Sequence, residues 1–434
     1  MKPGEDYRRL WIGNASSNLA DGVTFVALPL LAVAITEDPL AIAALSVFYT
    51  APRLLSVLGI GVLVDRVDRR RLLYLANFSR ALIFAALTAL VIAETTPMAA
   101  LYAVYAFMGI VETISDSAAV AVLPRAVEPA GLDRANSQIA GTQTLVDEFI
   151  GPPLGGFLFA WAAFAPSLVT VGAFLLAGLA YWRLRLDYSP VSETLGDNRA
   201  EAAADADDAA DGPVPAARTR GQIREGAVWA MRQPIIRTLV IIGGLASAGY
   251  MIPFSYLVLY AQDVLHLDAA GYGLLLSGSA LGGLLGSLIA TRLRRIIGYG
   301  WTITTALFTG MAAFAVIAGT TNVWVVAAAL AVYMGHAVVW NIMASSIRQK
   351  LIPQHLLGRV GSVGRLVGLS GLAVGAALGG LLAGAFGLRF PFVIAAAFFA
   401  VGGLLALATL HRFDAWERER PDHLRLPGAS AVSA

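Results

Sequence analysis

The chain has 434 residues, of which 57% are hydrophobic and 14% charged, with a mean hydropathy of +0.69 and a formal net charge of +2. That much apolar side chain exceeds what a water-soluble fold of this length can bury, and the near-neutral balance gives no basis for a nucleic-acid partner. Cysteine is absent and histidine scarce, which excludes a disulfide framework or a cysteine nucleophile and argues against a zinc or other metal site.

Twelve apolar stretches follow one another at 10–35, 40–64, 72–93, 98–124, 135–160, 165–186, 234–261, 270–292, 300–319, 322–347, 359–386 and 389–410. About 20 apolar residues cross the hydrocarbon core as a helix. Only helices and closed barrels satisfy the backbone there, and these runs are too long for barrel strands. The expectation is an all-α membrane protein with twelve transmembrane helices. The first run is too long for a signal peptide and has no small-residue cleavage pattern, so it reads as a retained span.

Connections after odd-numbered spans are short and contain no Lys or Arg. The others carry Arg66, Arg69, Arg70, Arg71, Arg125, Arg134, Arg183, Arg185, Arg292, Arg294, Arg295, Arg348, Lys350 and Arg359. The positive-inside rule then places both termini in the cytoplasm of a multi-pass cell-membrane protein. The segment 187–217 is acidic, Ala-rich and without an apolar face, a composition that favours disorder. After it, 220–232 reads as a short amphipathic helix on the inner membrane face, with Ile223, Ala227, Val228 and Met231 on one side. A plain extension of the seventh span is the alternative. The expected organisation is a six-helix bundle over 1–186, a cytoplasmic linker over 187–233, a second bundle over 234–411 and a cytoplasmic tail over 412–434.

The halves echo each other. VLPRAVEPAGLDRANS leads into a Gly-rich fifth span, and KLIPQHLLGRVGS into a Gly-rich eleventh. Six-plus-six duplication is the mark of transporters built from repeats, with substrate handled near mid-membrane.

Ionisable groups inside spans are expensive and so call for a role. At about 1.5 Å per residue, Asp21, Arg53, Glu112, Asp147 and Glu148 all lie between about 16 and about 20 Å into their spans. All belong to the first half; the second half has no acid inside a span. Low dielectric favours the protonated form of a carboxyl, so these are candidate proton-coupling sites, with Arg53 as a fixed positive partner. Glu112 and Asp21 lead, and Asp147 and Glu148 follow. These two neighbours point about 100° apart, and Gln143 one turn earlier favours Asp147 toward a polar cavity. The alternative is a buried ion pair that only holds spans together, although one Arg cannot neutralise four acids.

Asp116, one turn from Glu112, can pair with Arg69 and form a gate latch with Asp65, beside Arg66 and Arg70. The basic cluster can equally be a topology signal alone. Glycines at four-residue spacing, 278/282/286 and 371/375/379, suit close or sliding helix contacts. Pro29, Pro52 and Pro253 can break spans 1, 2 and 7 locally. In the second half Tyr250, Tyr256, Tyr260, His336, Trp340 and Asn341 are cargo-cavity candidates, each equally suited to packing or interfacial anchoring.

GVLVDRVDRRR (61–71) resembles the loop 2–3 signature of the major facilitator superfamily, with Asp68 where that signature has Gly. GPPLGG, with Gly151, Pro152, Gly155 and Gly156, resembles the fifth-span antiporter signature of its proton-coupled exporters; the signature's mid-span-4 Arg is missing. SNLADGV, LVDRVDRRRLL, LPRAV, LDRANS, REGAVWAMRQPIIR and KLIPQHLLGRV resemble the macrolide-efflux and enterobactin-exporter branch. The resemblance covers essentially the full chain. It implies two pseudo-symmetric six-helix bundles, a monomer, and Asp65 meeting the N-terminal end of span 11, where a helix dipole favours an anion.

The function this implies is proton-antiport export, by alternating access, of hydrophobic or amphipathic small molecules, drug-like or siderophore-like. A lysolipid flippase or a nutrient facilitator is the alternative. No nucleotide loop or nucleophile constellation is found, so no enzyme is read. No cofactor is expected; a proton gradient supplies the energy, and protons, cargo and membrane lipids are the expected partners.

Overall fold

Apolar side chains at nearly every position of long runs leave the backbone no partner but itself, and the chain responds with helices throughout. The computed structural model describes residues 4–128, 131–185 and 216–419, with side chains at all of these except 57–59, 61–66, 120–121, 216–223 and 355. Among the described residues there is no strand. Most of the acidic 187–217 connection and the end of the tail lie outside the described residues.

The helices are α1 (Glu5–Ile35), α2 (Pro39–Arg66), α3 (Arg69–Ile92), α4 (Met98–Ala126), α5 (Leu132–Thr144), α6 (Gly151–Trp161) and α7 (Ala165–Trp182). There follow α8 (Ala216–Arg232), α9 (Pro234–Phe254), α10 (Ala269–Gly319), α11 (Val323–Leu351), α12 (Gln354–Phe386), α13 (Phe390–Ala408) and α14 (Leu410–Glu419).

Ten of the helices in the described residues are long and apolar enough to cross a membrane, where the sequence predicts twelve spans. Two local features account for the difference. The fifth span is split: α5 passes through a wide π-helical turn, Leu145–Ile150, into α6. Pro152 and Pro153 have no N–H, so the ladder cannot continue there in α register. The expected break between spans 8 and 9 is confined to a single residue. α10 runs 51 residues and turns only at Gly298, with φ 77° and ψ 175°. The two predicted spans therefore lie on either side of Gly298 as separate helical segments. The left-handed φ is open to glycine at little cost.

Other expectations are corrected as well. α1 and α2 run unbroken through Pro29 and Pro52. α9 does end one residue after Pro253, and span 7 continues through Leu257–Leu259 and a second π turn, Tyr260–Val264. Asp68, the departure from the loop signature, caps α3 by accepting from the Arg70 N–H at 2.8 Å.

The chain divides into two compact units. The first comprises Met1–Pro213 with Ser255–Ser277, the second Val214–Phe254 with Gly278–Ala434. In the first, Tyr7, Leu10, Leu73, Ala118 and Tyr181 belong to one buried cluster. In the second, α8 packs on α12: a Cβ at Gly226 would strike the Arg359 backbone, and Arg359 pairs with Glu225 at 2.5 Å. Val228 and Met231 of α8 remain exposed. Glycines set the close crossings, as small residues do between membrane helices. Gly282 and Gly286 of α10 lie against Ala331 and Gly335 of α11, and Gly371 and Gly375 of α12 against Gly244 and Ala248 of α9.

Candidate functional site

The first unit holds a membrane-embedded polar cluster built by four helices and the π turn. α2 presents Tyr49 and Arg53 one turn apart; α4 presents Glu112 and Asp116 one turn apart. The two helices meet closely because Gly109 packs against the Tyr49 backbone. The Tyr49 hydroxyl donates to Glu112 Oε2 at 2.5 Å. Arg53 Nη1 donates to the Tyr49 oxygen at 2.8 Å and to Glu112 Oε1 at 3.3 Å, and Nη2 lies 3.6 Å from Asp116 Oδ2. Glu112 thus has a hydroxyl on one oxygen and a guanidinium on the other.

A second pair joins α1 to α3. Arg80, only 1% exposed, places Nη1 3.6 Å from Asp21 Oδ2 and 3.2 Å from Ser17 Oγ. Its guanidinium carbon lies 5.2 Å from the centre of the Phe174 ring of α7. Arg80 Nε and Nη2 and Asp21 Oδ1 are buried and make no hydrogen bond. Two under-used donors and one under-used acceptor are costly and leave this pair less satisfied than the Glu112 triad.

Asp147 and Glu148 lie on the π turn. The Asp147 backbone packs directly on Gly22, where a Cβ would come within 2.7 Å of the Asp147 carbonyl. The turn therefore lies next to Asp21. Asp21 thus lies between Arg80 on one side and the π turn on the other. Glu148 is at the edge of this group: it acts on Asp147. Neither turn carboxylate forms an ion pair among the described residues. Five carboxyls, Asp21, Glu112, Asp116, Asp147 and Glu148, thus gather around two guanidiniums, Arg53 and Arg80.

The antiporter-like motif positions this turn. Gly151 and Gly155 take the α1 backbone at Gly22 and Val23, while Gly156 meets Ala269 at the start of α10. Ser277 donates to the Phe149 carbonyl at 3.1 Å, satisfying one acceptor that the two prolines leave open.

The gating candidates are partly visible. Arg69 is buried, and Arg70 donates to the Trp182 carbonyl. The side chains of Asp65 and Arg66 lie outside the described residues. Of the cargo candidates, Tyr256 and Tyr260 are fully buried and belong to the first unit. Tyr250, His336, Trp340 and Asn341 belong to the second. Tyr250 stacks parallel to Tyr333, with ring centres 6.2 Å apart. Tyr333 also packs on Phe254, Phe314, Phe399 and His336, so half-buried Tyr250 and buried His336 are part of one packed ring cluster. His336 also borders an apolar groove of about 430 Å³ between α10 and α11, beside Leu285, Gly286 and Ile289.

Sequence reasoning missed Arg80, Tyr49 and Tyr333. Arg80 carried the same signal as Arg53, a cation inside an apolar run. Tyr49 carried a weaker one, a hydroxyl one turn from that arginine.

The Major Facilitator Superfamily profile matches residues 10–375. The chain belongs to the major facilitator superfamily. It is 29% identical over 389 residues to the multidrug efflux pump Tap of Mycolicibacterium fortuitum, covering 87% of this chain and 89% of that one. It is 25% identical over 393 residues to the enterobactin exporter EntS of Escherichia coli O1:K1, covering 88% and 86%. These relatives match the efflux branch that the motifs resemble. Among solved structures, a bacterial homologue of the iron transporter ferroportin superposes with a TM-score of 0.71 at 16% identity, covering 93% of this chain and 98% of that one. The nucleoside transporter NupG gives 0.70 at 13%, covering 93% and 99%. At such identities the likeness concerns the fold. The chain is a multi-span membrane transporter and not an enzyme.

Proposed function

We propose that this transporter exports hydrophobic or amphipathic small molecules in exchange for protons, by alternating access, with both termini in the cytoplasm. The observation that carries this reading is the excess of carboxyls over guanidiniums in one membrane-embedded cluster. Like charges close together in low dielectric cannot all ionise, so the cluster holds protons. Each arginine competes with a proton for its carboxylate: Arg80 for Asp21, and Arg53 with Tyr49 for Glu112. A proton arriving from outside releases the arginine, and the freed guanidinium alters the contacts between α1, α2, α3 and α4. Deprotonation toward the cytoplasm restores the pair. The likeness to Tap and EntS supports the outward direction and the cargo class.

The experiment is dye or drug transport in everted vesicles with an imposed pH gradient, comparing the wild type with Asp21→Asn and Glu112→Gln. The expected result is loss of gradient-driven accumulation in at least one variant, with protein level unchanged. Full activity in both rejects proton coupling through these acids.

A second reading is movement of a lysolipid. The apolar groove between α10 and α11, with Leu285 and Ile289 exposed along it, favours it. Fluorescent lysolipid translocation that is lost in Leu285→Glu, with dye export retained, would select this reading over the first.

A further inference from the structure

The first unit carries a second recess, separate from the carboxyl cluster, between the first turns of α1 and the exposed face of α5. Two side-chain rungs define it. The Tyr7 hydroxyl donates to Gln138 Oε1 at 2.7 Å, and Trp11 Nε1 donates to Thr142 Oγ1 at 3.0 Å. Both rungs join residues 131 positions apart, so the two helices run parallel in register and the rungs are one turn apart. Gly141 lies between them on α5, and a Cβ there would meet nothing within 4 Å. The result is an open groove of about 530 Å³, bordered by Tyr7, Arg8, Trp11, Gln138, Gly141 and Leu145.

Its chemistry is one-sided. No carboxylate lines it. Arg8 is exposed and makes no ion pair among the described residues, whereas the adjacent Arg9 is held by Asp6 at 2.9 Å and Glu5 at 2.8 Å. The rungs consume acceptors: Gln138 Oε1 is taken by Tyr7, which leaves the Gln138 amide N–H groups to donate. Trp11 has its N–H engaged, so what it offers the groove is ring face. Leu145, 52% exposed, adds an apolar wall.

We infer that this groove binds an amphipathic anion from the water side: a flat apolar body carrying one oxyanion. The oxyanion takes charge-assisted hydrogen bonds from Arg8 and Gln138, and the body lies on Trp11 and Leu145 above Gly141. A two-chain lipid fits less well, because Ser137, Gln138 and Thr142 interrupt the apolar wall. The site does not depend on the transport reading, since its occupancy is measurable with no gradient present.

The test uses the full chain in nanodiscs of neutral lipid, titrated with naphthalene-2-sulfonate and its neutral analogue naphthalene-2-methanol by calorimetry or saturation-transfer NMR. The sulfonate should bind about tenfold tighter than the alcohol, and Arg8→Gln should remove about that factor. Arg183→Gln, an exposed arginine away from the groove, should not. Gly141→Leu fills open space without displacing a neighbour, so it should keep the fold and abolish binding. Equal binding of the alcohol, unchanged affinity in Arg8→Gln or Gly141→Leu, or no sulfonate binding in neutral lipid would overturn the proposal. In discs containing phosphatidylglycerol, sulfonate affinity should hold. Full displacement there would assign the groove to a lipid headgroup and overturn the water-side occupant.

Discussion

The two compact units solve the same problem with different materials. The first binds its spans through charges: Arg53 with Glu112 and Asp116, Arg80 with Asp21, Tyr49 bridging. The second relies on rings and missing side chains: Tyr333 among Phe314, Phe399 and His336, and glycines against Ala331, Gly335 and Ala248. In lipid there is no hydrophobic drive between helices, so both are workable glues. Among the described residues, only the first is built on ion pairs between its spans. If the acids of the first unit exchange protons as proposed, substitutions within its spans should be felt through pH and those within the spans of the second should not.

The largest effect is expected at Arg80. Arg80→Met removes the guanidinium from Asp21, which is 25% exposed with Oδ1 buried, and should cost about 3 kcal/mol, the low end for breaking a buried pair. Adding Asp21→Asn should recover most of it. Thermal unfolding in detergent checks both, and a double variant no more stable than the single one would show that Arg80 acts by packing alone.

Next is Gly282→Leu in the second unit. The crossing of α10 on the Ala331 backbone has no room for a Cβ, and overpacking costs about 1 to 3 kcal/mol. The loss should be the same at acid and alkaline pH. A strong pH dependence there would break the comparison.

The smallest effect concerns the tail helix α14, outside the spans. Its Phe413 and Trp416 are buried, and Glu417 accepts from the Tyr299 N–H at 2.6 Å, where α10 restarts after Gly298. Burial raises the Glu417 carboxyl above the usual carboxylate range, against the backbone hydrogen bonds from Tyr299 and Gly300. The docked state therefore binds more protons than the undocked one, and docking weakens as pH rises from the ordinary carboxylate range through the raised value. Hydrogen exchange of 410–419 should quicken modestly over that window in the wild type and show no such slope in Glu417→Gln.

The spans, the midplane acids and the antiporter-like motif were legible because each depends on composition or short spacing. The π turn was not, although Pro152–Pro153 announced some break: which register the ladder adopts depends on the close seat of Gly151 and Gly155 on α1. The break between spans 8 and 9 was legible as the gap 293–299 between two apolar runs, and Gly298 lies in it. α14 was passed over as tail, although Phe413 and Trp416 are spaced to share a helical face. The partner of Asp21 was hidden for another reason: α1 and α3 are far apart in the chain, and nothing local tells which acid a buried arginine will meet.

The central claim is that acids of the first unit bind and release protons within the membrane. Infrared difference spectra of the carboxyl stretch, recorded on the protein in lipid as pH is raised, test it without knowledge of the cargo. The account predicts a buried-carboxyl band that titrates in the wild type and loses intensity in Asp21→Asn and in Glu112→Gln. A titration identical in wild type and both variants would contradict it.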